Sequence, residues 1–120
     1  MDDFKEVIQM ELRQAWCAAT AHPSYQKNWT EDNPSYGQCC VTALVMQDLY
    51  GGDVYECKVK GKRHYVNITP EGYLHDFTSG QFGDGQIVYS DMKPRTRISL
   101  LKSKDVKERY ELLKARLEEN

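Results

Sequence analysis

No apolar run in this chain of 120 residues approaches the ~20 needed to cross a bilayer. No charge of one sign dominates either: 16 Lys and Arg against 18 Asp and Glu leave a formal −2. Neither a membrane nor a nucleic acid is therefore an expected partner, since no apolar span or basic excess is there to draw one. Internal repeats, linkers and low-complexity stretches are also missing. The chain reads as one domain, 1–120, long enough to bury about two thirds of its unfolded surface. Its first residues, MDDFKEV, are acidic and amphipathic, unlike a secretory signal, so the expected location is cytoplasmic and reducing.

That expectation governs the four cysteines, Cys17, Cys39, Cys40 and Cys57. A disulfide framework is not expected, which leaves core filling, metal binding or nucleophilic chemistry. A zinc site would have to draw on Cys39, Cys40, Cys57, His64 and His75, but no Cys-x-x-Cys or His-x-x-x-His spacing supports it. Adjacent cysteines on a helix also diverge by about 100°. Gly80, Gly83 and Gly85 lack the strand-to-helix context and the following Lys-Ser/Thr of a phosphate loop. No metal and no cofactor are therefore expected.

What is present reads as an α+β chain. In residues 3–20, Phe4, Val7, Ile8, Leu12, Ala15, Trp16 and Ala19 recur at helical spacing, and His22-Pro23 ends the pattern. A polar loop, 21–37, follows with Trp29 and Asn33-Pro34; loops of that length in small domains tend to carry function. Residues 38–50 are apolar almost all round, which predicts a buried helix, and Gly51-Gly52 ends it.

The period then becomes two. Tyr55, Cys57 and Val59 form one stripe and His64, Val66 and Ile68 the returning one. With Gly61-Lys62 as a two-residue turn, Val59 faces His64, Cys57 faces Val66 and Tyr55 faces Ile68. Pro70-Glu71-Gly72 predicts a three-residue bulged loop that sets Leu74 opposite Ile68 and Asp76 opposite Val66. Asp76 is then inward and diagonal to His64, about 7–8 Å away between backbones. Residues 78–86, TSGQFGDGQ, read as a flexible loop, and 87–89 and 96–100 as short extended pieces. A last helix is expected over 105–117, with Val106, Tyr110, Leu113 and Leu117 inward and Asp105 with Glu108 as a cap pair.

These pieces assemble one chemistry. A helix N-terminus favours thiolate over thiol. Histidine beside it makes a nucleophile–base couple, and a carboxylate behind the imidazole fixes its tautomer. The expected trio is Cys39 at the start of a buried helix, His64 on the hairpin and Asp76 on the next strand, with Gln38 or Asn33 as oxyanion donors. Trp29, Tyr36 and Phe82 are candidates to line the cleft, or else to cover the edge of the core. A buried small hydrophobe is the competing reading for Cys39, and the stronger one for Cys17, Cys40 and Cys57.

The stretch NPSYGQCCVTALVMQDLYGGDVYECKVKGKRHYVN, with HDFTSGQF after it, resembles the YunG family of small bacterial proteins. The shared pattern is Asn-Pro, Gly-Gln-Cys with Val-Thr-Ala-Leu-Val and Gln-Asp, then Gly-Gly, a strand with His-Tyr, and a strand with Asp ahead of Gln-Phe. It covers roughly residues 29–83, with a looser likeness at 109–112. The family is similar in architecture to papain-like and transglutaminase-like cysteine proteins, which carry Cys at a helix N-terminus and His and Asp on an adjoining antiparallel sheet.

The resemblance implies a small papain-like α+β domain, a central Cys-bearing helix packed on an antiparallel sheet, and helices at both termini. Its Gly-Gln-Cys motif selects Cys39 over Cys40. Papain-like proteases take an oxyanion amide from a Gln six residues before the Cys, a place held here by Asn33. The expected function is a peptidase- or amidase-like thiol hydrolase or acyltransferase working through an acyl-thioester on a small-molecule, peptide or protein substrate. The other class is a non-catalytic module that holds a peptide or small ligand in the same cleft; the reactivity of Cys39 separates the two.

Overall fold

A computed structural model describes the backbone of residues 2–119 and the side chains of 5–119. It contains helix α1 (Asp2–Ala15), α2 (Cys39–Tyr50), strands β1 (Asp53–Val59), β2 (Lys62–Ile68), β3 (Leu74–His75) and β4 (Ser90–Arg95), and helices α3 (Arg97–Leu101) and α4 (Lys104–Glu118). The strands form one antiparallel sheet in the order β3-β2-β1-β4.

The first helix is shorter than its periodicity suggests. It ends at Ala15, and Ala18–Thr20 is a separate 3-10 turn. The break lies at Cys17, whose N–H donates to Thr20 Oγ1 while its carbonyl accepts from Thr20 Oγ1 and from Gln38 Nε2. Side chains thus take over the backbone groups that would have carried the helix on. Ile8, Leu12, Ala15 and Trp16 are buried as expected, but Val7 is exposed, and Phe4 lies outside the residues whose side chains are described.

Helix α2 supplies Val41, Ala43, Leu44, Val45 and Met46 to the core, joined by residues of α1 and α4, Val54, Phe77 and Leu100. Its buried Thr42 Oγ1 accepts from Trp16 Nε1 at 2.9 Å, so α2 and the chain just after α1 are joined by a satisfied polar pair as well as by packing. Arg97 ties α2 to α4: it donates to the Leu44 carbonyl, Gln47 Oε1 and Tyr110 Oη and pairs with Asp48.

The β1–β2 register differs from the expected one by two residues. Cys57 lies opposite His64, Tyr55 opposite Val66 and Val59 opposite Lys62. The turn is Lys60-Gly61, not Gly61-Lys62, and both its residues have positive φ, 52° and 77°. That is a turn with two left-handed residues, in which glycine takes the second place. A shift of two leaves every side chain on its expected face. Cys57, Val59, His64 and Val66 therefore still share one face, each about 1% exposed. The main helical core, however, lies on the other. Val54, Tyr65 and Asn67 point to it, and Asn67 Nδ2 donates to the Ala43 carbonyl of α2 at 2.9 Å. The β2–β3 connection is the three-residue loop expected, with Ile68 opposite Leu74 and the Thr69 N–H bonded to the Tyr73 carbonyl.

Three further expectations are corrected. The strand after the glycine-rich loop is 90–95, not 87–89; it holds Pro94, which an edge strand tolerates. Residues 96–100 are not extended but enter α3, because Thr96 Oγ1 caps the Ser99 N–H. Ser103, not Asp105 with Glu108, caps α4; Asp105 bonds Arg109 instead.

The close approach of α2's exit to the hairpin yields a test. A Cβ on Gly52 would sit 2.2 Å from the Ile68 carbonyl oxygen, whereas one on Gly61 would meet nothing within 4 Å; both have positive φ. Gly61→Ala is expected to cost about 1–2 kcal/mol, the backbone penalty alone. Gly52→Ala is expected to cost clearly more, because the backbone must also shift. Urea denaturation of the two variants measures the difference, and equal costs would contradict this packing.

Candidate functional site

Cys39 is the first residue of α2, and Gln38, with φ −98° and ψ 0°, is its N-cap. In the first turn of a helix the backbone N–H groups have no intrahelical acceptor, so Cys39 stands where such donors are exposed. His64 comes from the middle of β2 and Asp76 from the residue after β3. The structure brings His64 and Asp76 together: Nε2 and Oδ2 are 2.8 Å apart, with side chains only 2% and 4% exposed. Nδ1 is then the ring nitrogen left for another partner, and the Cys39 thiol is a second hydrogen-bonding neighbour of the imidazole.

These contacts set the charge of the ring. Burial works against imidazolium, but the hydrogen bonds from His64 to Asp76 and Cys39 outweigh it and push the pKa from 6.5 up to about 9. His64 is thus protonated at neutral pH. Asp76 is held by more than histidine. Its Oδ2 also accepts from Tyr89 Oη at 2.8 Å, and its Oδ1 from the N–H and hydroxyl of Thr78 at 3.1 and 3.2 Å. Burial and the Asp76 carboxylate raise the pKa of the Tyr89 hydroxyl, so it acts as a donor. Phe82 packs edge-on against the His64 ring and Tyr89 stacks on it, at centroid distances of 4.9 and 6.3 Å.

Of the other thiols, Cys40 lines the same cavity as Cys39 and also packs against the core, while Cys57 is buried on the sheet. Burial, then Cys39 beside it, pushes Cys40 up to about 12; burial, then Asp76 and Cys39, pushes Cys57 up to about 11. Both stay protonated at neutral pH.

Cys39 opens onto a cavity of about 640 Å³ that is also lined by Tyr25, Gly37, Arg63, Tyr65, Arg95 and Arg109. Neither oxyanion candidate lines it. Gln38 is fully buried, its Nε2 donating to the Cys17 carbonyl, and Asn33 lines a separate cavity with Asp76 and Ser79. Nor do the three aromatic candidates. Trp29 donates to the Pro34 carbonyl within its own loop, Tyr36 stacks on Tyr25, and Phe82 buttresses His64.

Sequence reasoning did not find Tyr89 and Thr78, the other partners of Asp76, or the arginines of the cavity. Thr78, two residues after Asp76, is a local signal: a carboxylate accepting from the N–H two residues on is a common turn. Tyr89 is far in sequence and carries none. Gln81 is a further omission. Its Oε1 accepts from the Gly37 N–H and its Nε2 donates to Thr78 Oγ1, which links the turn at 78–82 to the chain just ahead of Cys39.

The His64–Asp76 pair predicts a pH dependence. Its folded pKa lies above the ordinary value, so its stabilising contribution is complete below about pH 6.5 and is lost as pH rises through about 9. Asp76→Asn removes the charge that holds the proton. Ring titration by NMR should place His64 of that variant well below 9, and the stability gap between the two proteins should shrink from pH 6.5 toward pH 10. A variant that titrates like the wild type would remove Asp76 as the source of the shift.

Comparison with known proteins adds identity to this geometry. A family described as YunG protein matches residues 5–120. The uncharacterised protein YunG of Bacillus subtilis (strain 168) is 43% identical over 77 residues, a stretch that spans 64% of this chain and 62% of that relative. No solved structure matches the chain. Since the family match takes in nearly the whole sequence, well beyond the Gly-Gln-Cys segment, the chain belongs to the YunG family.

Proposed function

We propose that the protein is a thiol hydrolase or acyltransferase with Cys39 as nucleophile, His64 as the proton carrier and Asp76 as the group that orients and charges the imidazole. The observation that carries this reading is the bracketing of one buried imidazole by a carboxylate on Nε2 and by the Cys39 thiol, at a helix start that opens onto a cavity. The chain order Cys, His, Asp, with the thiol on a helix and the other two on or beside an antiparallel sheet, supports a papain-like arrangement.

The steps follow from the geometry. Cys39 thiolate, paired with His64 imidazolium, attacks the carbonyl carbon of an amide, ester or thioester. A C–S bond forms and the carbonyl electrons move to oxygen, where a backbone N–H of the first turn of α2 stabilises the charge. Collapse breaks the bond to the leaving group, which departs with the proton from His64. A water molecule then gives a proton to His64 and attacks the thioester, releasing the acid and regenerating the thiolate–imidazolium pair. In a transferase an amine takes the place of water. Cys40 and Cys57 take no part, because their protonated thiols are poor nucleophiles.

Iodoacetamide at neutral pH tests the reading. Peptide mapping should find Cys39 modified first and Cys40 and Cys57 far behind. His64→Ala should slow Cys39 by about tenfold or more, since the partner that stabilises thiolate is gone. A panel of acyl and peptidyl electrophiles, mapped in the same way, then reports acyl-transfer competence. A Cys39 that is inert to all of them, or that ignores the loss of His64, points to a cleft used for binding alone.

A further inference from the structure

The proposed nucleophile opens onto a cavity whose charge runs against that of the whole chain. The protein carries a formal −2, yet the Cys39 cavity is lined by Arg63, Arg95 and Arg109. Two carboxylates lie in or beside it. Asp105 is committed to Arg109, whose Nε and Nη2 both approach its Oδ2 at 2.9 Å. Glu56, behind the wall, is shared by three cations: it bonds Arg95 Nη1, lies 3.2 Å from Lys93 Nζ and 3.8 Å from Arg63 Nε. One carboxylate cannot neutralise three cations. Burial and the charge of Arg109 also keep the lining His22 below its ordinary pKa, so the surplus comes from the arginines alone.

The surplus is free to act on a ligand. Arg63 is 70% exposed at its side chain and only loosely paired. Arg95 uses Nη1 on Glu56 and also bonds Tyr65, and with five N–H donors a guanidinium still has others to offer. The two come from the strands on either side of β1, and their guanidinium groups meet at Glu56 Oε1. Arg63 lies opposite Lys58 on β2 and Arg95 opposite Val54 on β4, and both side chains point to the α2 side of the sheet. Planar guanidinium groups that converge on one cavity suit a carboxylate, which accepts two parallel N–H bonds.

We infer that the acyl donor accepted at Cys39 carries a carboxylate, and that Arg63 and Arg95 bind it. This rests on Cys39 being the reactive thiol, and the test separates the two claims. Iodoacetate and iodoacetamide are near-isosteric alkylating agents, one anionic and one neutral. Their rates at Cys39 are measured on the full chain by peptide mapping, with a small free thiol as reference. The ratio of the two rates cancels any change in the thiol itself.

The iodoacetate-to-iodoacetamide ratio at Cys39 should exceed that of the free thiol, and about 0.5 M salt should reduce it by screening. Arg63→Gln should lower it by about three- to tenfold, the effect of removing one partly screened charge nearby. Lys114→Gln, the same charge change outside the cavity, should keep the wild-type ratio. If Cys39 reacts but its ratio equals that of the free thiol, or if Arg63→Gln leaves the ratio unchanged, the carboxylate inference falls while the nucleophile stands. If neither reagent modifies Cys39, the nucleophile falls and the inference with it.

Discussion

A single buried carboxylate organises the part of this molecule around His64. Asp76 has a side chain only 4% exposed, and a carboxylate so withdrawn from water costs several kcal/mol unless its oxygens are satisfied. Four donors meet it: His64 Nε2, Tyr89 Oη and the N–H and hydroxyl of Thr78. Those donors come from β2, from the turn after β3 and from the chain just before β4. A glycine-rich stretch with few apolar residues is thereby folded down onto the sheet. The same turn passes the order on, because Gln81, bonded to Thr78, also accepts from the Gly37 N–H at the approach to α2. The His64–Asp76 pair is thus tied by hydrogen bonds to the chain that leads into Cys39.

The sheet divides its labour between faces. Val54, Tyr65 and Asn67 belong to the face that packs on α2, where apolar contact and the Asn67–Ala43 bond anchor it. The opposite face carries Cys57, Val59, His64 and Val66, and His64 is covered there by Phe82 and Tyr89. With its middle buried on both sides, the sheet departs from the polar-out alternation of a one-sided antiparallel sheet. Glu56 shows how a charged residue is kept in such a setting. It is 9% exposed and is accepted because Arg95, Lys93 and Arg63 surround it; its pKa stays low although burial opposes that, since hydrogen bonds to Lys93 and Arg95 win.

Much of this was legible in the sequence, and for identifiable reasons. The helix at 39–50, the hairpin, the bulged loop at 70–72 and the final helix each carry a strong local period or turn signal. The side of the sheet on which His64 and Asp76 meet was also legible, because the register error at Lys60-Gly61 was an even one and left the faces unchanged. What could not be read depends on distant partners. Nothing near Cys17 announces that Gln38 will take its carbonyl and help end α1 early. Nothing in 87–89 marks Tyr89 as a partner of Asp76, and the arginines of the cavity lie 32 and 14 residues apart along the chain. Alternation identified the stripes but could not say which face meets the helices, since Val54 and Cys57 are both apolar and both buried.

The adjacent cysteines show how the fold, not the residue type, distinguishes one thiol from its neighbours. Cys39 and Cys40 are identical in chemistry and consecutive in sequence, but consecutive helical side chains diverge by about 100°. Cys40 packs against the core while still lining the Cys39 cavity, and burial and the neighbouring thiol raise its pKa to about 12. Cys57, directly opposite His64 on the sheet, is raised to about 11 by burial and by Asp76 and Cys39. His64 is shifted in the opposite sense, since hydrogen bonds to Asp76 and to Cys39 outweigh burial and hold its proton more tightly. The fold thus keeps Cys40 and Cys57 protonated beside a charged imidazole and leaves Cys39 as the thiol on which the proposed acyl transfer rests.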